Sequence, residues 1–346
     1  MPGTRFIVGL VLIVAGGAGY WAFKSFEPRP ERLGVSSVEP PKSPPTNELV
    51  DPLAPGRTAQ LDTSPRAAGS ASWVSARPGF QHSRTTAERA GVNPCAMPAA
   101  DGGTLEPWSN LSKGHVAVPR TGALDATGAF ELVMHFHGDE LARRELVESG
   151  QNFVLYSLTL DPSESYAALF AGTQLYGQLV QQIERKVGTM YGVSAHAGHV
   201  ALTAWSAGYM AVLSILAQPE AKDVDAVVLI DGLHGPRGAL TRQLAPFVEF
   251  ARRAITSERF MLITHSSIDP PDFASTTESA HHVLAELGER PQAVRREDRV
   301  GLELVEYFTR GDFHVRGYAG NDKADHCAQV TLLRDGYAAL ARRWKH

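Results

Sequence analysis

Three short stretches of this 346-residue chain bring together residue types that carry out acyl transfer. Ala204-Trp205-Ser206-Ala207-Gly208 sets a serine between tiny residues two before and two after it. A serine hydroxyl is a poor nucleophile unless a base stands beside it and N–H donors await the oxyanion. Ala204 and Gly208 leave the backbone room for a tight strand-to-helix turn, and the N–H of Ala207 would be one donor at the start of the helix. A plain helix N-cap is the other reading of such a serine. For the base, His326 stands out among 13 histidines, because GNDKADHCAQV places it at a loop-to-helix junction near the end of the chain. An imidazole with a pKa near 6.5 suits proton shuttling at neutral pH. His314, within FHVRGY, is the weaker candidate, since that run reads as part of a strand or hairpin.

Two carboxylates compete for the supporting acid. Asp231 ends the apolar run VDAVVLID and is followed by Gly232; Asp269 follows a later strand and precedes Pro270 and Pro271. A carboxylate at the tip of a buried strand needs a partner such as an imidazole N–H, which favours Asp231 over Asp269. A fourth stretch, His135-Phe136-His137-Gly138, ends another apolar run. It reads as a glycine turn with His137 bonding the backbone. With Asp139 it also spells HxHxD, a spacing that can gather metal ligands, because His135 and His137 point to one face of a strand. That alternative makes the chain a metallohydrolase using His135, His137 and Asp139.

These residues need elements to hold them. From Gly114 onward strands and helices alternate. Strands are expected at 115–121, 129–138, 152–160, 199–206, 224–231, 259–267 and 302–310. Helices are expected at 139–150, 166–191, 207–218, 239–256, 275–290 and 325–344. The strands are apolar along their length, as a mostly parallel sheet covered by helices on both faces requires. In such sheets function gathers at the carboxyl ends of strands, where His137, Ser206, Asp231 and Asp269 fall.

In motif order the region from about 115 to 346 resembles the α/β-hydrolase superfamily. The resemblance rests on HFHG after an early strand, on Ala204 to Gly208 at a nucleophile elbow, and on Asp325-His326 opening the last helix, in the order serine, acid, histidine. It implies an α/β fold and a serine hydrolase acting on an ester, thioester or amide. It implies Ser206 as nucleophile, His326 as base and Asp231 or Asp269 as acid. It also implies a second oxyanion N–H from Gly138 or Asp139. A non-catalytic binding protein on the same scaffold is the rival of a different class, since fold does not secure function. Tyr166, Phe170, Leu175 and Tyr176 either line an acyl pocket or simply fill a helix interface.

The first hundred residues differ. Phe6 to Phe23 is an uncharged run, FIVGLVLIVAGGAGYWAF, bounded by Arg5 and Lys24. Its length suits a membrane anchor, which Tyr20 and Trp21 before Lys24 favour as an interfacial belt, while Ala15-Gly16-Gly17-Ala18 could supply a signal cleavage site. Residues 24–100 hold 12 of the 22 prolines, a composition that reads as a disordered spacer. The expected layout is therefore 1–23 signal or anchor, 24–100 linker and 101–346 hydrolase domain. The domain is expected to be membrane-anchored or secreted, and extracytoplasmic. Cys95 and Cys327 either pair there or remain two thiols. A net charge of −4 gives no field for nucleic acid. GxGxxG and phosphate-loop patterns are absent, so no cofactor is expected. The expected partner is a small or lipid-like acyl substrate.

Overall fold

The structure, a computed structural model, describes residues 85–96, 102–160 and 164–345. Its elements in chain order are α1 (Thr86–Arg89), β1 (Ser109–Asn110), β2 (His115–Ala117), β3 (Ala129–Phe136), α2 (Asp139–Ser149), β4 (Val154–Leu158), α3 (Glu164–Leu169) and α4 (Leu175–Tyr191). There follow β5 (His196–Trp205), α5 (Tyr209–Leu216), β6 (Val224–Ile230), α6 (Leu240–Ile255), β7 (Phe260–His265) and α7 (Thr276–Glu286). The chain closes with β8 (Gln292–Glu297), β9 (Glu303–Arg310), β10 (Phe313–Tyr318), α8 (Lys323–Ala328) and α9 (Leu333–Trp344).

The strands form one sheet in the order β1-β2-β4-β3-β5-β6-β7-β10-β9-β8. The six central strands from β4 to β10 are parallel, and the pairs at both edges are antiparallel. Side chains alternate between two cores. Leu132, Met134 and Phe136 of β3, with Val227 and Leu229 of β6, meet α4, α5, α6 and α7 on one face. Val133, Val228 and Ile230 meet Ala142 and Leu146 of α2 and Leu333, Tyr337 and Leu340 of α9 on the other. Both faces are therefore dry, which is why these strands carry no polar alternation. The architecture is that of an α/β-hydrolase.

Some boundaries differ from the periodicity. The stretch 166–191 splits into α3 and α4, and the last helix begins at Lys323 and passes through a 3-10 turn, Gln329–Leu332, before α9. The edge strand β8, with the sequence QAVRRE, is mostly exposed, so no apolar pattern announces it. The spacer read over 24–100 extends too far. Residues 85–96 hold α1, with Thr85 and Glu88 capping each other reciprocally at 2.9 and 3.1 Å, and a 3-10 turn at Pro94–Ala96. Arg89 reaches Glu297 of β8 at 2.6 Å. A polar, Pro-containing segment can be held by pairwise links that leave no periodic trace in sequence. The apolar run 6–23 and the rest of the spacer lie outside the described residues. Among the described residues no helix is long and apolar enough to cross a membrane.

Candidate active site

Ser206 follows the last residue of β5 and takes a positive φ of 52°. A β-substituted residue is rarely found in that region and needs the surroundings to hold it there. Two glycines supply the room. A Cβ on Gly208 would strike the Phe136 carbonyl at the end of β3, and a Cβ on Gly232 would strike the Ser206 carbonyl. Trp205 pairs with Ile230 across β5 and β6, so Ser206 and Asp231 leave the sheet side by side. Ser206 itself is partly exposed. The N-cap reading does not hold, because the N-cap of the turn Ser206–Gly208 is Trp205 and that of α5 is Gly208.

Asp231 also has a positive φ, 41°, and is 2% exposed. Its Oδ1 accepts from the Ser266 N–H at 2.8 Å and the Thr276 hydroxyl at 2.7 Å. Its Oδ2 lies 2.7 Å from His326 Nδ1. Burial pushes the carboxyl's pKa up, but the His326 bond and charge, with Thr276 and Ser266, outweigh it and hold Asp231 below the usual carboxylate value. A carboxylate only accepts, so His326 carries its proton on Nδ1 and leaves Nε2 as the basic nitrogen. The imidazole is fixed from two further sides. Trp205 stacks on it with centroids 5.0 Å apart, and Trp205 Nε1 donates to the His326 carbonyl at 3.2 Å. Beneath it, Asp322 and Asp325 form a capping box that starts α8, which gives Asp325 a structural task.

Asp269 is elsewhere. Its side chain is 75% exposed and its ion-pair partner is Arg237, at 3.4 Å. His314 is buried in β10 against Thr309 at 3.1 Å. Of the acids and bases singled out in the sequence, the structure brings together Asp231 and His326.

The turn after β3 carries two successive positive-φ residues, His137 (77°) and Gly138 (95°). The His137 N–H donates to Leu158 O at 3.1 Å and the Gly138 N–H to Thr159 Oγ1 at 2.9 Å. Gly138 is therefore already engaged, which removes it from the two N–H groups considered for an oxyanion. Asp139 opens α2, where a helix leaves its own first N–H groups without intrahelical partners. Its carboxylate accepts from Ser157 at 2.8 Å and Thr159 at 2.5 Å and lies 3.1 Å from His115. Burial acts upward on it, but the nearby His115 ring and the Thr159 and Ser157 bonds prevail and hold it at about 2. Asp139 thus fastens the turn to β4 and β2. The His137 ring lies over Trp205 at 5.6 Å, and its Nδ1 is 3.4 Å from the Tyr166 hydroxyl.

This geometry corrects the HxHxD reading. His135 is fully buried, with Nδ1 on Thr203 Oγ1 at 2.9 Å and Nε2 on the His137 carbonyl at 2.7 Å. Both nitrogens are spent within the fold, and His135, His137 and Asp139 do not converge among the described residues. Burial lowers the His135 pKa from 6.5 to about 4. Below pH 6.5 the unfolded chain therefore takes up a proton that the folded one resists. The stabilisation is present above pH 6.5 and drains away as the pH falls to about 4, by about 3 kcal/mol at most. Urea titrations of wild type and His135→Gln should show the wild type losing more stability over that interval. Parallel pH curves would contradict this account of His135.

Cys95 and Cys327 are joined as a disulfide, with Cα atoms 5.0 Å apart. The link ties the segment before β1 to the residue next to His326. Closing so long a loop stabilises by about 2–5 kcal/mol. Reduction with dithiothreitol should therefore lower the denaturant midpoint of wild type and leave a Cys95→Ser, Cys327→Ser variant unmoved. Equal midpoints for oxidised and reduced wild type would oppose it.

His234 was not singled out in the sequence. It follows Asp231 by three residues, with its ring 4.6 Å from Tyr209 and 4.9 Å from Phe273, and burial lowers its pKa to about 4, so it is neutral at pH 7. The run Asp231-Gly232-Leu233-His234-Gly235 directly after an apolar strand was the available signal. Tyr166, Phe170 and Tyr176 are buried core residues, the first two in edge contacts with Phe136, which makes them interior packing.

No protein-family profile matches the chain, and no curated protein matches it. Among solved structures it is similar to a cold-adapted esterase from an Arctic intertidal metagenomic library, at 16% identity over 66% of this chain and 86% of that one, with a TM-score of 0.38. It is also similar to an esterase of Pyrobaculum calidifontis, at 15% identity over 66% and 80%, with a TM-score of 0.37. At such values the likeness carries nothing about substrate or mechanism. The fold assignment stands on the strand order, the two covered faces and the elbow after β5: the chain has the α/β-hydrolase fold.

Proposed function

We propose that the chain is a serine hydrolase that transfers the acyl group of a carboxylic ester to water. The observation that carries this reading is the Asp231–His326 pair, 2.7 Å apart, with Asp231 leaving β6 next to the point where Ser206 leaves β5 in a positive-φ elbow. Ser206 Oγ attacks the carbonyl carbon while His326 Nε2 takes its proton, and Asp231 holds the resulting imidazolium. The carbonyl π electrons move to oxygen, where the N–H groups of Ala207 and Asp139 receive the negative charge. Collapse breaks the ester C–O bond, and His326 returns the proton to the departing alcohol. Water then attacks the acyl-enzyme with His326 again as base, releasing the acid and Ser206.

Thioesters and amides meet the same machinery with different leaving groups. A disulfide fits an oxidising compartment, which suits a secreted or membrane-anchored protein whose domain lies outside the cytoplasm. Rapid mixing of the full chain with a p-nitrophenyl acyl ester tests the reading. A burst of nitrophenol near one equivalent, followed by slower turnover, is expected of an acyl-enzyme. Absence of any turnover across acetyl to decanoyl esters would count against an esterase.

A further inference from the structure

The far side of the Asp231 support holds a group of side chains that the proposed hydrolysis does not use. His265 ends β7, His281 lies on α7 and Glu306 lies on β9. One donor atom from each lies within 4.8 Å of the others. His265 Nε2 is 3.1 Å and His281 Nε2 2.5 Å from Glu306 Oε1. We propose that His265, His281 and Glu306 form a binding site for one divalent transition-metal ion of the zinc class.

The sheet builds the site. His265, Gly317 and Glu306 are register partners across β7, β10 and β9. His265 and Glu306 reach towards each other over the middle strand, where any Cβ on Gly317 would strike both the His265 ring and the Glu306 side chain. Glycine at that one position makes the meeting possible. The α7 helix then brings His281 to the same oxygen from above, with its side chain 33% exposed and so open to solvent.

Hydrogen bonding fixes which His265 nitrogen faces the site. The Thr277 hydroxyl donates to Ser266 O at 2.6 Å, so towards His265 Nδ1, 2.9 Å away, it must accept. His265 therefore carries a proton on Nδ1, and in the neutral ring Nε2 bears the lone pair. That nitrogen is buried and lies 3.1 Å from Glu306 Oε1, within ion-pair distance but not aligned as a hydrogen bond. A lone pair set against a carboxylate oxygen repels it, and a cation between the two turns the repulsion into two ligand bonds. Holding the far ring nitrogen on a hydroxyl is how proteins orient a ligating histidine.

Two imidazole nitrogens and one carboxylate oxygen suit zinc, cobalt or nickel better than magnesium or calcium. Tetrahedral ligand bonds of about 2.0–2.1 Å put donor atoms about 3.3 Å apart. The His265–Glu306 separation already approaches this, His281 needs to withdraw from Glu306 by less than an ångström, and all three donors lie within 4.8 Å of one another. Water or the second Glu306 oxygen completes the shell. The ion would brace β7, α7 and β9. The neighbours of its ligand His265 and of Thr277, namely Ser266 and Thr276, are the groups that hold Asp231 Oδ1.

The test uses the full chain, oxidised at Cys95–Cys327, free of any polyhistidine tag and stripped with chelator. Calorimetric titration with Zn²⁺ and with Co²⁺ should show one site per chain, and His281→Ala should weaken it at least about 100-fold. His281→Gln, which keeps a side chain near Glu306, should weaken it similarly and guards against a folding defect in the alanine variant. Absence of a one-equivalent site in wild type would overturn the proposal and leave a His–Glu ion-pair cluster. Binding unchanged in both variants would also overturn it. Because the readout is metal binding, neither result depends on the hydrolase reading.

Discussion

Ser206→Ala is expected to lower kcat for ester hydrolysis by about 10⁴- to 10⁶-fold, the loss typical when the nucleophile of a serine triad is removed. The fold should survive. Alanine keeps a Cβ in the same positive-φ turn, and the contacts that hold the turn come from Gly208 and Gly232, not from the hydroxyl. The Asp231–His326 bond does not pass through Ser206. The denaturant midpoint should therefore shift little while turnover vanishes. A folded variant that hydrolyses esters at the wild-type rate would remove Ser206 from the mechanism.

Asp231→Asn is expected to cost about 10⁴-fold in kcat with the backbone intact. The reason is a tautomer. The Ser266 N–H and the Thr276 hydroxyl both donate to Oδ1, so they would hold the amide oxygen there and turn the amide NH₂ towards His326. His326 Nδ1 would then have to accept, its proton would move to Nε2, and the nitrogen needed as base would no longer be basic. Asp269→Asn should leave kcat and KM near wild type, since that carboxylate is exposed and paired with Arg237 at 3.4 Å, away from His326. Similar losses in both variants would mean that His326 is not oriented as the structure shows it.

Much of this was legible in the chain, for physical reasons that differ by element. Strands such as VDAVVLID are apolar throughout because both faces of the sheet are covered, so β3 to β7 could be placed within a few residues. Ser206 was marked by the tiny residues that a positive-φ turn needs. The competition between Asp231 and Asp269 could not be closed, because it depends on which carboxylate lies beneath α8, a contact across 95 residues. The choice between the Gly138 and Asp139 N–H groups stayed open because the partner of the Gly138 N–H, Thr159, lies just past the end of the neighbouring strand. The HxHxD pattern misled because strand spacing says which face a histidine occupies and nothing about whether that face is a dry core. His265, His281 and Glu306 gave no local motif, since strand pairing over Gly317 assembles them. The order in residues 85–96 was hidden because a disulfide and an ion pair hold them, not an apolar face.

Covalent labelling of the full chain with a fluorophosphonate, with the adduct located by mass spectrometry, reads directly whether His326 activates Ser206. An unactivated serine does not react with such a probe, whereas one beside a properly oriented imidazole does. One adduct is expected, on Ser206, and it should disappear in His326→Ala. A folded wild-type chain that takes no label, or an adduct on Ser206 that forms equally well without His326, would contradict that activation.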